Sequence, residues 1–361
     1  MFYHVIYPLY EYMSVLNVFR YITVRSAFAA ITAFVLTLII GDFVIKKLKK
    51  MKINQVIRKE GPKKHRIKQG TPTMGGIMIL FSFIISIALW GRFDNSYVWI
   101  VIMAAVLFAG IGFIDDYMKL KVGTRGMPGK IKLTLQFLSA FAVIGVFIYF
   151  SGTKIEGITN VDIPFIKDPF YLPMWLYVIF TALVIAGWSN AVNLTDGLDG
   201  LATGLSLFVF VTLVIMAYII GNVNMSEYLL ITHILQSSEL TVVCAAFVGA
   251  LLGFLWFNSY PAQVFMGDVG ALMLGGVIGT IAILIKQEIL LLIVGMIFVV
   301  EVLSVILQVT SYKMTKKRIF KMAPLHHHYQ LKGISEPKII MRFWIVAIIV
   351  LLFTLSTLKL R

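Results

Sequence analysis

The sequence predicts an all-α polytopic membrane protein, and its composition, its long apolar segments and its uneven distribution of basic residues all indicate this class. Of the 361 residues, 59% are hydrophobic and only 14% are charged, and the mean hydropathy is +0.90. Soluble domains are about half apolar and about a quarter charged. The composition therefore excludes an ordinary soluble fold.

Segments of about 17 to 25 apolar residues, the length that crosses ~30 Å of hydrocarbon as a helix, recur along the chain. About ten transmembrane helices are expected. They are Ile22–Ile45, Met74–Leu89, Val98–Ile114, Leu133–Phe150, Leu172–Trp188, Leu201–Ile219, Leu240–Phe257, Ala271–Ile285, Ile289–Thr310 and Ile339–Leu358. No shift in composition divides the chain, so residues 1–361 are expected to form a single integral membrane domain.

The lysines and arginines predict how these helices are oriented. The segments that follow expected spans one, three and nine hold 11, five and seven of them, which is 23 of the 32 in the chain. Because basic residues are retained on the cytoplasmic side, five loops are assigned to the cytoplasm and both termini to the outside. The net charge of +15 is therefore explained without a nucleic-acid partner. The longest outside segment, Ser151 to Tyr171, has an alternating pattern that predicts a small hairpin.

Two acids, Asp115 and Asp116, lie at the cytoplasmic end of expected span three. Adjacent carboxylates repel each other, and at a helix C-terminus they also face the negative end of the helix dipole. A cation should compensate, either a metal ion, Lys119 or Lys132, and one carboxylate is then available as a general base. The alternative is a simple solvated helix end.

A second polar segment, from Asn190 to Ala202, contains no lysine or arginine. Four of its residues recur every three positions and would share one stripe of a helical turn; they are Asn190, Asn193, Asp196 and Asp199. Such a stripe suits hydroxyl groups, a base edge or a hydrated metal ion. The alternative is a turn that uses polar caps to return the chain to the membrane.

Asp268 lies between Gly267 and Gly270, just before expected span eight, and by itself would be interpreted as a helix N-cap. It falls, however, at the same membrane face as the four aspartates above. Unpaired carboxylates crowded at one face are unfavourable without lysines or Mg²⁺. The set therefore predicts a magnesium site.

Two further motifs lie at this face. The glycine-rich segment Lys68–Gly76 precedes span two, where free helix amides suit an anion, although a simple helix cap is the alternative. In the last loop, an extended chain would place His326 and His328 on the face opposite His327. Phosphate binding or proton handling fits these histidines better than zinc, because no cysteine is nearby. Glu301, inside span nine, is either functional or paired with another helix.

Together the five motifs resemble those of the bacterial phospho-N-acetylmuramoyl-pentapeptide-transferases, within the polyprenyl-phosphate sugar-1-phosphate transferases. In chain order the motifs are Lys68–Gly76, Phe113–Tyr117, Asn193–Gly200, Val264–Asp268 and Met322–His328. The resemblance covers almost the whole chain. It implies Mg²⁺-dependent transfer of phospho-MurNAc-pentapeptide from UDP-MurNAc-pentapeptide to undecaprenyl phosphate, giving lipid I and UMP. It also implies a homodimer among the lipids of the bacterial cytoplasmic membrane, with the active site facing the cytoplasm.

The resemblance also assigns expected roles to residues of this chain. Asp268 is expected to bind Mg²⁺, and Asp115 and Asp116 to lie at the reacting phosphates as a base or as further metal ligands. The residues expected to neutralise phosphate charge are Lys68, Lys119 and Lys132, with Lys130 an alternative to Lys132. The nucleotide is assigned to Asn193, Asp196, Asn258, Phe265 and Gln308, with Phe265 stacking on uracil. The histidines are expected at the phosphates or the sugar-peptide, and Thr73, Asn190 and Asp199 complete the substrate-binding set.

Other interpretations place the same residues differently. A related transferase that uses UDP-GlcNAc would share the acidic residues, but the tract Ala323–Tyr329 resembles the muramoyl-pentapeptide type. A cation-coupled transporter would carry its ionisable residues near the middle of the membrane, whereas here nearly all lie at one face. A scaffold without catalysis gives no reason for five carboxylates beside so many lysines.

Overall fold

The computed structural model describes residues 1–51, 70–122, 126–151, 157–166 and 168–359, and within these ranges it is almost entirely helical. The helices are α1 (Ile22–Lys50), α2 (Gly76–Trp90), α3 (Ser96–Val122), α4 (Gly129–Ser151), α5 (Met174–Thr195), α6 (Leu201–Ile220), α7 (Val223–Leu229), α8 (Leu240–Asn258), α9 (Gly267–Leu284), α10 (Glu288–Val294), α11 (Met296–Thr315), α12 (Leu325–Leu331) and α13 (Glu336–Ser356). Short 3-10 and π turns precede α1. The predicted all-α membrane class is confirmed.

The small hairpin predicted outside the membrane is present in reduced form. Strands β1 (Asn160–Val161) and β2 (Phe170–Tyr171) pair antiparallel, with Asn160 opposite Tyr171. Each strand has only two residues, because Pro164 and Pro169, which cannot donate to a ladder, lie between them. Ile155, the first residue of the alternating pattern, lies outside the described residues.

Nine helices of the described chain are long and apolar enough to cross a membrane. The tenth expected span is α2, whose 15 residues reach about 22 Å as a helix, less than the ~30 Å of hydrocarbon. It begins only at Gly76 because the preceding residues pair with another loop. The amides of Gly75 and Gly76 donate to the carbonyls of Phe265 and Met266, each at 2.8 Å.

The expected span Ile289–Thr310 is wrong as a single helix, because the chain breaks between α10 and α11. Gly295 is the break point, with φ −98° and ψ 28°. A Cβ atom there would lie 2.2 Å from the indole ring of Trp188. The ring therefore leaves no room for a side chain at this break, and sequence periodicity carries no sign of that contact.

The core of the bundle lies around α8 and α9. In α9, 89% of the span is buried inside the protein, against 17% in α11. Small residues allow the helices to approach closely: a Cβ atom on Gly249 would lie 1.9 Å from the carbonyl oxygen of Ala30, and one on Gly275 would lie 2.2 Å from that of Trp188. The single cysteine, Cys244, is buried in this core.

At the end of the bundle away from the acidic loops, a buried ion pair joins α1 to the turn before α8. Arg25 Nη1 lies 2.5 Å from Glu239 Oε1, and the two side chains are 1% and 2% exposed. Arg25 also donates to the carbonyl of Trp90 at 3.2 Å. Each charge therefore depends on the other for its compensation.

Replacing Arg25 by leucine should strongly destabilise the protein, because Glu239 is left buried without its partner. Removing one member of a buried pair costs about 3–5 kcal/mol. Thermal unfolding in detergent micelles measures the loss, and Arg20→Leu, at an exposed arginine just before α1, is the matched control. Equal melting temperatures for the two variants would show that the Arg25–Glu239 ion pair does not stabilise the protein.

Candidate functional site

Three of the predicted aspartates meet where the C-terminal end of α3 contacts the first turn of α9. One carboxylate oxygen from each of Asp115, Asp116 and Asp268 lies within 4.8 Å of the other two. Asp115 and Asp116 are each 3% exposed. The site therefore concentrates negative charge at a membrane face, in a place largely withdrawn from water.

Two glycines allow α3 and α9 to meet so closely. A Cβ atom on Gly112 would lie 2.2 Å from the carbonyl oxygen of Asp268. Gly267 has φ +73°, a left-handed conformation that favours glycine, and a Cβ atom there would lie 2.5 Å from Asp116 Oδ2 and 2.8 Å from Thr73 Oγ1. Thr73 is thus beside the acidic residues, as the predicted site requires.

Two lysines bridge the three carboxylates. Lys119 Nζ lies 2.7 Å from Asp115 Oδ2, 3.2 Å from Asp116 Oδ1 and 2.9 Å from Asp268 Oδ2. Lys132 contacts Asp268 and lies 3.3 Å from Asp115 Oδ2. We call these five residues the acidic cluster. The side chain of Lys130, the alternative to Lys132 in sequence, is exposed.

Backbone amides complete the surroundings of two carboxylates. Met127 N–H donates to Asp115 Oδ1 at 2.7 Å, and Val269 N–H donates to Asp116 Oδ2 at 3.2 Å. With three aspartates and two lysines ionised, the acidic cluster carries one net negative charge. The atoms that it offers to a metal ion are all carboxylate oxygens, the ligand type of Mg²⁺ and other hard cations. The residues present therefore fit a metal ion of this class.

The four polar residues of the second motif do not form one continuous stripe, so that expectation is wrong. Helix α5 ends at Thr195, and Asp196 is its C-cap. Asn190 and Asn193 are therefore on the helix, whereas Asp199 lies in the turn that follows. Asn190 donates to Gln136 Oε1 at 2.7 Å. Asp199 is 3% exposed and accepts from Ala262 N–H at 3.0 Å.

The ionisation of Asp196 depends strongly on its surroundings. Burial, together with the neighbouring negative charges of Asp268, Asp116 and Asp199, raises the pKa of its carboxyl group from 3.8 to about 7. Like charges and a poorly solvated position both disfavour the carboxylate form. The negative charges of the acidic cluster therefore favour the protonated form of Asp196.

Two amides that were predicted to hold a nucleotide have protein partners. Asn258 Oδ1 accepts from Thr203 Oγ1 at 2.6 Å, and its Nδ2 donates to the carbonyl of Val264 at 2.9 Å. Gln308 Oε1 accepts from Phe320 N–H at 2.9 Å. These amides shape the loops of the site, and their contact with a nucleotide stays a prediction, as does stacking by the half-buried Phe265.

The three histidines lie on a helix, so the alternation of an extended segment does not apply to them. Pro324 is the N-cap of α12, and side chains on a helix follow each other at roughly 100° instead of 180°. His326 is fully buried, and His327 Nδ1 lies 2.9 Å from Gln330 Oε1.

His328 is less suited to carrying a proton than the sequence suggested. Its Nδ1 accepts from Lys321 N–H at 3.1 Å. Partial burial and the positive charges of Lys332 and Lys321 lower the pKa of the His328 ring below its usual 6.5. The neutral imidazole is favoured, so phosphate binding through a charged His328 gains no support.

Two polar residues near the site were not recognised in the sequence. They are Gln136, which bonds Asn190, and Glu336, whose Oε1 accepts from Asp199 N–H at 2.9 Å. For Glu301 the sequence left open a functional role or pairing with another helix, and its Oε1 accepts from His326 N–H at 3.2 Å. A polar side chain within an apolar span was the available signal for Gln136 and Glu301. Glu336 gave none, since acids are common in a first helical turn. Lys68, predicted to neutralise phosphate, lies outside the described residues.

The chain is similar to known proteins over its whole length. A family model described as glycosyl transferase family 4 matches residues 98–286, which hold the acidic cluster. A phospho-N-acetylmuramoyl-pentapeptide-transferase signature matches residues 68–80. Curated proteins named phospho-N-acetylmuramoyl-pentapeptide-transferase, from Desulfosudis oleivorans, Desulfotalea psychrophila and Syntrophus aciditrophicus, are 49%, 50% and 48% identical to the chain, with 100% of each chain covered.

Asp196→Asn should change the pH dependence of stability in metal-free buffer. Because folding raises the pKa of Asp196 from 3.8 to about 7, the folded protein loses stability as the pH rises through this window. Asparagine cannot ionise, so the variant does not suffer that loss. The melting temperature of the variant minus that of wild type should therefore be larger at pH 8 than at pH 5.

Melting temperatures at the two pH values, measured in detergent with EDTA, test this expectation. Asp168→Asn, in the exposed segment between α4 and α5, is the matched control. If the melting temperatures of Asp196→Asn and wild type differ by the same amount at both pH values, folding does not raise the pKa of Asp196.

Proposed function

The chain belongs to the phospho-N-acetylmuramoyl-pentapeptide-transferase family, and from this we propose that it is the enzyme that transfers phospho-MurNAc-pentapeptide from UDP-MurNAc-pentapeptide to undecaprenyl phosphate. The products are lipid I and UMP. The observation that carries the proposal is the acidic cluster, three carboxylates bridged by two lysines at the end of membrane helices. The names of the relatives give no support to a UDP-GlcNAc transferase or a transporter.

In this reaction the sugar-linked phosphorus of the nucleotide becomes bonded to a phosphate oxygen of undecaprenyl phosphate. One phosphoanhydride bond forms as another breaks, and UMP leaves with the bonding electron pair. Both substrates bring several negative oxygens, so binding and positioning require positive charge at the headgroup level. Lys119 and Lys132 supply two such charges at the cluster.

The aspartates have two tasks in the proposal. Asp268 binds Mg²⁺, with Asp115 or Asp116 as a further ligand, and the ion when bound supplies neutralisation of diphosphate oxygens. The remaining carboxylate of α3 acts as the base for the lipid phosphate or as a nucleophile, since direct and two-step transfer both use these carboxylates.

The lysines must also release the oxygens that a metal ion would use. Lys119 Nζ contacts all three aspartates at 2.7–3.2 Å. An ammonium group and a divalent cation repel each other, so an ion held by these aspartates would favour lysine positions nearer the phosphates. The same two side chains then stabilise the acidic cluster without substrate and neutralise phosphate charge with it.

We propose that this site faces the cytoplasm of a bacterial inner membrane. Lys119, Lys132 and Lys313 lie at helix ends on the face where the basic segments gather, which is the cytoplasmic face by the positive-inside rule. A cytoplasmic site also gives access to a water-soluble nucleotide substrate. Assembly as a homodimer stays a prediction.

Asp268→Asn and Asp116→Asn should each lower transfer about 100-fold or more, the scale at which a proton-transfer or metal-binding group acts. The assay is transfer of radiolabelled UDP-MurNAc-pentapeptide to undecaprenyl phosphate by purified protein, titrated with Mg²⁺ after EDTA treatment. Asp268→Asn should also require more Mg²⁺ for half-maximal rate. Asp94→Asn, an exposed acid beyond the opposite end of α3, is the control. Near-normal rates in both site variants would reject the assigned roles.

Lys132→Gln and Lys130→Gln should differ, although the two residues are separated by one position. Lys132 contacts Asp268 and Asp115, whereas Lys130 is exposed. Loss of one charge-assisted contact in a polar site costs about 1.5–3 kcal/mol, so Lys132→Gln should lower kcat/KM by roughly 10- to 100-fold. Lys130→Gln should remain within about twofold of wild type in the same assay. The reverse order would exchange the two assignments.

A further inference from the structure

A buried acid, Glu301, lies inside α11 and has no part in the mechanism above. Its side chain is 1% exposed, and an acid in a membrane helix is unfavourable unless it is paired. Its Oε1 accepts from the backbone N–H of His326 at 3.2 Å, and its Oε2 lies 3.3 Å from His326 Nδ1. Glu301 therefore contacts both the main chain and the ring of one histidine.

The other side of the His326 ring faces the turn that follows α5. A Cβ atom on Gly197 would lie 2.3 Å from His326 Nε2, so only glycine leaves room for the ring at this position. Gly197 lies between Asp196 and Asp199, in the loop of candidate nucleotide-binding residues. Both ring nitrogens of His326 and Oε2 of Glu301 are buried without a hydrogen-bond partner among the described residues. The 3.3 Å approach of Oε2 to Nδ1 is therefore a charge contact that a proton on Nδ1 would strengthen.

We infer that Glu301 is a positioning residue that holds His326 as the Nδ1–H tautomer and thereby seats α12 against the Gly197 turn. A carboxylate beside one imidazole nitrogen selects the tautomer with a proton on that nitrogen, as it does for histidines in metal and catalytic sites. Nε2 is then an acceptor directed at the loop that carries Asp196. The inference rests on the proposed function only in the effect that it assigns to nucleotide binding.

The arrangement joins three segments that are distant in sequence. Glu301 belongs to α11, His326 to α12 and Gly197 to the loop after α5, while Glu336 of α13 accepts from Asp199 N–H in the same loop. A shift of His326 would therefore alter the nucleotide side of the site. The acidic cluster, which depends on α3, α4 and α9, would keep its contacts.

Glu301→Gln removes the negative charge of the side chain and keeps nearly the same shape, so it tests the charge alone. Its one amide oxygen is needed by the backbone N–H of His326, so its NH₂ group faces Nδ1 and requires Nδ1 to be an acceptor. Glu301→Gln should therefore reverse the tautomer to Nε2–H while it preserves volume. Ser304→Ala is the matched control: this buried residue, one turn further along α11, donates only to the backbone carbonyl of Glu301, so the variant leaves the carboxylate in place.

The tautomer can be read from the imidazole nitrogen spectrum of protein labelled with ¹⁵N-histidine, because the chain has only six histidines. His326→Gln assigns the signal. We expect Nδ1–H in wild type and in Ser304→Ala, and Nε2–H in Glu301→Gln. Nε2–H in the wild-type protein would overturn the inference by itself, whether or not any variant folds, and so would an unchanged tautomer in Glu301→Gln.

The transfer assay tests the consequence for substrate. Glu301→Gln and Gly197→Ala should raise KM for UDP-MurNAc-pentapeptide by about tenfold, the usual scale for loss of an orienting partner, and leave KM for undecaprenyl phosphate unchanged. Gly187→Ala is the control for the glycine, because a Cβ atom there meets open space.

Equal changes in both KM values, or no change in either, would reject positioning at the nucleotide side. Absence of transfer in the wild-type protein would instead reject the proposed function, and the spectrum would still decide whether Glu301 sets the tautomer of His326.

Discussion

The contact between carboxylates and lysines at the end of α3 is the constraint on which the rest of the site depends. Asp115 and Asp116 are almost fully buried, and buried carboxylates without partners are strongly unfavourable. Lys119 lies one turn along the same helix, but Lys132 comes from α4 and Asp268 from α9. Compensation of charge therefore requires the ends of these three helices to meet, and the glycines at 112 and 267 make the approach possible.

Around this cluster, polar side chains serve mainly to brace loops. Asn258 holds the turn before α9 through Thr203 and Val264, and Gln308 holds the segment at Phe320. Hydrogen-bonded networks of this kind limit the arrangements that a loop can adopt. The loops that would receive a nucleotide are thus shaped by the protein's own amides, while the phosphate end of the site is shaped by charge.

Local patterns predicted the helices well where a helix met no interruption from elsewhere in the fold. The fold class, eight of the nine long spans and the position of α2 follow from the recurrence of apolar segments. The break at Gly295 and the helical form of His326–His328 were not predicted. Gly295 lies against the ring of Trp188 from α5, and His326 contacts Glu301 from α11. A pattern within one segment carries no information about such neighbours.

The acidic cluster shows the same division between sequence and tertiary structure. By itself, the sequence determined that this is a membrane protein and that five aspartates and most basic residues gather at one face, since both properties follow from the cost of placing charge in hydrocarbon. Only the tertiary structure decided that Asp115, Asp116 and Asp268 meet, that Lys132 and not Lys130 joins them, and that Glu301 pairs with His326. Such pairings depend on distances of a few ångströms between segments far apart in the chain, and those distances arise only when the helices pack.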